Sequence, residues 1–170
     1  MKIYITGSVG SGKTTLAKRL AAELGLLHFE TDNFVWKRAP GGDIRNSEKQ
    51  RNAHLAEALM QPDWIVEGVH IDWTDAAIDQ ADWIIFLDLP LKERKRRIIK
   101  RFFKQIAGVE SANYEPKFKM LQKMFTWNRY YEDKMKPVFL KKFQAYPEKA
   151  IISKSSEAAS RILFEKIKSS

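Results

Sequence analysis

The hydrophobic pattern switches between two periods along the 170 residues. Short apolar runs of strand type recur at Ile3-Tyr4-Ile5, Leu26-Leu27-His28-Phe29-Glu30, Trp64-Ile65-Val66-Glu67-Gly68, Trp83-Ile84-Ile85-Phe86-Leu87-Asp88 and Ala150-Ile151-Ile152-Ser153. Between them lie longer stretches with apolar residues spaced three and four apart, the helical period. Leu16 to Leu24 reads as a helix stopped by Gly25. Ser47-Glu48-Lys49-Gln50 has the spacing of a capping box and opens a helix that carries Leu55 and Leu59 and ends at Pro62. A helix from Leu91, ended by Gly108, puts Leu91, Ile98, Phe102 and Ile106 on one stripe. Lys117 to Tyr131 is a basic and aromatic helix whose aromatics are accounted for by packing, and Pro137 breaks or kinks the segment after it. The last helix starts near Glu157 and turns Ile162, Leu163 and Ile167 inward. Strands alternating with helices predict an α/β fold, a parallel sheet covered on both faces. The chain length predicts a single domain, residues 1–170, and there is no internal repeat.

The connection after the first strand carries the chemistry. Gly7-Ser8-Val9-Gly10-Ser11-Gly12-Lys13-Thr14-Thr15 fits G-x-x-x-x-G-K-[ST], the P-loop pattern. Glycine lets the loop wrap closely, so that successive backbone N–H groups form an anion nest at a helix N-terminus. Lys13 reaches the β- and γ-phosphates in this arrangement, the Thr14 hydroxyl ligates Mg²⁺, and Thr15 bonds the α-phosphate. Four fixed positions match by chance in roughly one per cent or fewer of chains this long. The strand before the loop and the helix after it make a ligand-free glycine turn the poorer explanation.

Further candidates sit at the carboxyl ends of strands, where open α/β sheets bind ligands. Asp32 follows the second strand; it orders Mg²⁺ through water or takes a proton from an acceptor hydroxyl, against the alternative of a turn cap. Glu67 ends the third strand and holds Mg²⁺ through water or bonds the acceptor, again with a capping alternative. Gly68 permits close approach of a ligand. Asp88 stands where a Walker B acid would, yet reads as a strand-end residue at the sheet rim. His28, in mid-strand, reads as a packed histidine. His70, Asp72 and Trp73 fall on a loop without an assigned role, and no His/Asp/Glu spacing there suggests a zinc site.

Arginines complete the set. Arg94, Arg97 and Arg101 border the apolar stripe of their helix and converge on polyphosphate, as an arginine finger in cis does. Arg96, Lys100 and Lys104 point away as a solvated face. Residues 33–61 read as an acceptor-binding flap with Arg38, Arg45 and Arg51 toward a cleft, and Trp36 anchors its own loop. Residues 108–126 read as a lid, with a loop over 108–116 closed by Pro116.

Charge widens the range of partners without choosing among them. Thirty Lys and Arg stand against 21 Asp and Glu, a net charge of +9 that attracts nucleotides, phosphorylated metabolites, nucleic acid or anionic lipid. The chain has no cysteine, which excludes disulfides and thiolate metal sites. Trp83 to Leu87 is the longest apolar run and too short to span a bilayer; with no apolar leader at the N-terminus, a cytoplasmic protein without a membrane partner is expected.

The P-loop, the strands ending at Asp32 and at Glu67-Gly68, and the Arg97/Arg101 helix resemble the adenylate-kinase-like group of small P-loop kinases. Ile5 to Thr15, Gly42-Asp43-Ile44-Arg45, Trp64 to His70, Arg97 to Phe102 and Lys123 to Tyr130 are more closely similar to the bacterial DNA topology modulation protein family, FlaR-type. The resemblance implies a five-stranded parallel sheet in the order 2-3-1-4-5, ATP binding and kinase activity. Glu67-Gly68 stands where an adenylate kinase has Asp-Gly, which puts adenylate as the acceptor in doubt. The expected function is therefore Mg²⁺-dependent transfer of the γ-phosphoryl group of ATP to a small acceptor. Lys13, Asp32, Arg97 and Arg101 are the catalytic set, and Asp32, Arg45, Glu67, Gly68 and Arg94 contact the acceptor. Gly7 to Thr15 hold the nucleotide, and Thr14, Asp32 and Glu67 serve the metal. The alternative is a nucleotide-gated DNA-binding protein that uses the basic 117–131 surface. No helix-turn-helix or other DNA-reading module is evident.

Overall fold

The computed structural model describes residues 1–39, 42–109 and 118–169. Five parallel strands form the central sheet: β1 (Lys2–Gly7), β2 (Leu27–Glu30), β5 (Trp64–Gly68), β6 (Trp83–Leu87) and β7 (Ala150–Ser153). Their spatial order is β2-β5-β1-β6-β7, the expected 2-3-1-4-5 once a small hairpin is set aside. That hairpin joins β3 (Trp36–Lys37) to β4 (Ile44–Arg45), antiparallel. Two residues per strand leave no alternation to read, so the hydrophobic pattern does not disclose it.

The sheet divides the core in two because successive side chains on a strand point to opposite faces. Ile3 and Ile5 of β1, Ile65, Ile85 and Ile151 meet Leu16 and Leu20 of α1 (Lys13–Leu24) and Leu163 of α8 (Ser156–Ser169). On the other face Tyr4, Trp64, Val66, Ile84 and Phe86 meet Leu55 and Leu59 of α3 (Glu48–Leu59), Ile78 of α4 (Asp75–Gln80), and Phe139 and Phe143 of α7 (Lys136–Phe143). Burial of each large apolar side chain contributes about 1.5–3 kcal/mol. β1 is covered on both faces, which fixes the loop after it at the centre of the sheet's carboxyl edge. The capping box of α3 is present: Gln50 N donates to Ser47 Oγ, and Ser47 N donates to Gln50 Oε1 at 2.9 Å.

The helical half departs from the pattern in three places. In α5 (Leu91–Ile106) the buried residues are Arg94, Ile98, Phe102 and Gln105, whereas Ile106 is exposed. The stripe is rotated from the expected one because Ile98 and Phe102 pack on Leu121 of α6 (Phe118–Tyr130). In α6, Trp127 and Tyr130 are exposed, so packing does not explain those aromatics. Pro137 does not break the helix. A π-helical turn, Tyr131–Met135, joins α6 to α7, with Pro137 in the first turn of α7. A proline lacks the N–H for the carbonyl four residues back, and a wider turn just upstream absorbs that loss. Most of the 108–116 loop lies outside the described residues.

Candidate functional site

The loop after β1 folds as its glycines require. Gly10 and Gly12 take φ of 77° and 91°, a region open to glycine. A Cβ at Gly10 would lie 3.0 Å from the Arg94 carbonyl oxygen, so the loop is pressed against α5. Gly12 is the N-cap of α1 and supplies no capping side chain. The first intrahelical bond runs from Leu16 N to Gly12 O. The amides ahead of Leu16 at the start of α1 thus point outward at the positive end of the helix dipole, the arrangement that binds phosphate. Ser8 Oγ donates to Asn128 Oδ1 at 3.1 Å, and Asn128 is fully buried. This contact, 120 residues apart in sequence, buttresses the loop from α6 and leaves no local signal.

Two carboxylates flank the loop. Thr14 Oγ1 donates to Glu67 Oε1 at 2.6 Å. Glu67 is buried, and burial pushes its carboxyl above the usual range while Lys13 and the Thr14 hydroxyl pull it back. Its other oxygen, Oε2, has no hydrogen-bond partner among the described residues. Asp32 lies one residue into a short helix, α2 (Thr31–Val35), rather than on the strand end itself. Its Oδ1 is 3.1 Å from His70 Nε2. That contact holds the Asp32 carboxyl below the usual range, and Lys13 adds to the effect. Lys13 therefore acts on both acids. His70 packs against Trp73 at 5.1 Å, and Arg51 lies 4.6 Å over the Trp73 ring. His70 and Trp73, unassigned from sequence, thus connect Asp32 to the flap helix α3.

The arginines separate. Arg97 Nη1 lies 3.5 Å from the Ser11 carbonyl, and Nη2 donates to Glu93 at 2.8 Å, so Arg97 overhangs the loop. Arg101 is exposed one turn further along α5. Arg94 is 1% exposed and ion-paired with Glu132, its guanidinium 5.5 Å over the Tyr131 ring. The expected substrate contact is therefore corrected: Arg94 is a buried strut between α5 and the π turn, which brings Glu132 to it. Arg45 lies 5.9 Å over Trp36 and Arg38 pairs with Asp43, so both brace the hairpin. Trp36 is itself exposed and meets Arg45 across the hairpin. At Gly68 a Cβ would stand 1.7 Å from Thr31 Oγ1, so its missing side chain makes room for Thr31. Asp88 pairs with Lys136 at 2.7 Å, in keeping with a role at the sheet rim.

Phosphate-directed amides, a lysine, a hydroxyl and two acids gathered at one sheet edge can bind a nucleoside triphosphate and position an acceptor. Among the described residues no helix is long and apolar enough to cross a membrane. A family model described as AAA domain, AAA_18, matches residues 3–104. A cytidylate kinase of Pyrococcus horikoshii is 30% identical over 111 residues, 58% of this chain and 56% of its own. The chain thus spans little more than half the length of that relative. A cytidylate kinase of Natronomonas pharaonis is 31% identical over 146 residues, 77% of this chain and 72% of its own. The shikimate kinase structure from Bacteroides thetaiotaomicron has a TM-score of 0.60 over 99% of this chain and 98% of that one; at 15% identity it shows the fold alone.

Proposed function

The chain belongs to the AAA domain family AAA_18, with the fold of the adenylate-kinase-like P-loop kinases, and from that premise we propose that it is a Mg²⁺-dependent kinase moving the γ-phosphoryl group of ATP to a small acceptor. The observation that carries the reading is the meeting of Thr14 with Glu67 at 2.6 Å beside Lys13, with Asp32 under the same lysine's influence. A P-loop hydroxyl and a carboxylate offer the all-oxygen donors that Mg²⁺ takes. When bound, that ion offsets charge between the β- and γ-phosphates.

In this reading the Gly7–Thr15 amides and Lys13 hold the phosphates. Arg97, over the loop, neutralises charge that develops on the transferred group, and Arg101 is the second arginine of that pair; residues 110–117 of the expected lid lie outside the described residues. Asp32, held ionised by His70, takes the proton of an acceptor hydroxyl. Residues 33–61 bound the acceptor side, with Trp73 and Arg51 as its wall. Within the adenylate-kinase-like group we assign the chain to the DNA topology modulation type, on the five stretches that resemble it, from Ile5 to Thr15 through Lys123 to Tyr130. The cytidylate kinase relatives make a pyrimidine monophosphate one acceptor to test. Lys13→Ala tests the scheme. Turnover falls about 10²–10³-fold, the effect of losing one preorganised charge, with the circular dichroism spectrum unchanged. A folded variant with near-normal turnover contradicts it.

A further inference from the structure

β2 and β5 pair in parallel with Glu30 opposite Glu67 and His28 opposite Ile65. Residues two apart on a strand share a face, and so do paired residues on neighbouring strands. His28, Glu30 and Glu67 therefore project from the same side of the sheet, although no sequence spacing joins all three. One ligand atom from each lies within 4.8 Å of the others.

Two of these groups have buried polar atoms with no hydrogen-bond partner among the described residues: His28 Nε2 and Glu67 Oε2. Glu67 is only 3% exposed, and its other oxygen is taken by Thr14. Such atoms are normally satisfied, so two of them on residues gathered this closely ask for an explanation. Lys18 Nζ approaches Glu30 at 3.6 Å from an exposed position, and Lys13 acts on Glu67 from the P-loop side, yet neither reaches Glu67 Oε2 or His28 Nε2 with a hydrogen bond. A hydrogen bond between the two acids would satisfy one oxygen but leave the imidazole nitrogen alone. A cation satisfies all three at once.

We propose that His28, Glu30 and Glu67 form a binding site for a first-row divalent transition metal. One imidazole nitrogen with two carboxylates suits Mn²⁺, Fe²⁺, Co²⁺ or Zn²⁺, whereas Mg²⁺ prefers oxygen alone. The site lies behind the P-loop and shares Glu67 with it. A metal there fixes the carboxylate that holds Thr14, so its occupancy couples to nucleotide binding. The proposal stands on strand register and does not depend on the kinase reading.

The test uses the full chain, stripped with a chelator and free of nucleotide. Co²⁺ titrated into it binds at one equivalent, with visible d–d absorption, and Zn²⁺ displaces it. A hundredfold excess of Mg²⁺ does not. His28→Asn and Glu30→Gln each weaken Co²⁺ binding at least about tenfold, the low end of the loss for even an outer-sphere partner. His54→Asn, remote on α3, leaves it unchanged. In the wild type, Co²⁺ shifts and broadens the His28 imidazole resonances, which keeps the test open if a variant folds poorly. No saturable binding, binding indifferent to His28→Asn in a folded variant, or unperturbed His28 resonances with Co²⁺ bound would each overturn the proposal. Displacement by equimolar Mg²⁺ would overturn it as well, by showing an all-oxygen site.

Discussion

Gly68→Ala separates two readings of the residue that ends β5. Its φ lies outside the left-handed region, so the backbone itself accepts alanine. Space is the obstacle: the new Cβ would lie 1.7 Å from Thr31 Oγ1, 3.0 Å from Thr31 Cβ and 3.2 Å from Thr31 Cγ2. Thr31 is fully buried at the start of α2, so its side chain can yield only against packed neighbours. Overpacking of this kind destabilises by about 1–3 kcal/mol. At about 2–4 °C per kcal/mol for a chain of this size, the melting temperature drops by roughly 2–12 °C. Thr31→Ala removes Oγ1, which is unpartnered among the described residues, and Cγ2 with it. The double variant therefore recovers part of the loss, with a coupling of about 0.5–3 kcal/mol in a double-mutant cycle. Urea and thermal unfolding of the four proteins measure it. If Gly68→Ala keeps wild-type stability and loses only acceptor affinity, glycine is there for a ligand and the steric argument fails. Additive effects would equally refute it.

Glu132→Gln leaves the Arg94 guanidinium buried without its counter-ion, and the expected loss is about 3 kcal/mol, the low end for a buried pair because Glu132 is partly exposed; an unchanged urea midpoint would contradict the strut. Burial alone would raise the Glu132 carboxyl, but Lys136 and Arg94 outweigh it and hold its pKa below the usual range. Its contribution to stability is therefore complete above the ordinary carboxylate value of about 4.3 and is lost as pH falls through the lower folded value. Wild-type stability drops in that acid window, and the glutamine variant lacks this part of the drop; parallel profiles would count against the pair. Asn128→Ala removes the acceptor for Ser8 Oγ, worth about 0.5–1.5 kcal/mol as one hydrogen bond. ATP affinity by calorimetry weakens by about two- to tenfold, and an unchanged Kd would show that α6 does not buttress the loop.

Local features are the ones the sequence makes legible. The P-loop, the strand before it and the helix after it lie within 24 residues, and their hydrophobic period and glycines are enough to place them. β6 is a continuous apolar run of the kind a doubly covered strand carries, and the capping box announces α3 in four residues. Contacts made by distant segments are not legible. Whether His70 meets Asp32, Asn128 meets Ser8, or Glu30 stands opposite Glu67 depends on strand register and helix placement, which no local period encodes. Arg94 shows the limit from the other side. Its spacing matches that of Arg97, yet a turn of α5 separates an arginine over the loop from one sealed in the core. Glu132 marks the difference, and it arrives through a π turn that the sequence does not advertise.

The most direct measurement is ADP formation from Mg²⁺-ATP by the purified chain, alone and with nucleoside monophosphates (cytidylate included), nucleosides and small hydroxyl metabolites, with Lys13→Ala as the blank. The account predicts that one acceptor class raises turnover strongly, that ³¹P NMR finds the phosphoryl group on that acceptor, and that the blank stays flat. Slow hydrolysis indifferent to every acceptor, yet lost in the blank, would contradict phosphoryl transfer and point to a nucleotide-gated switch.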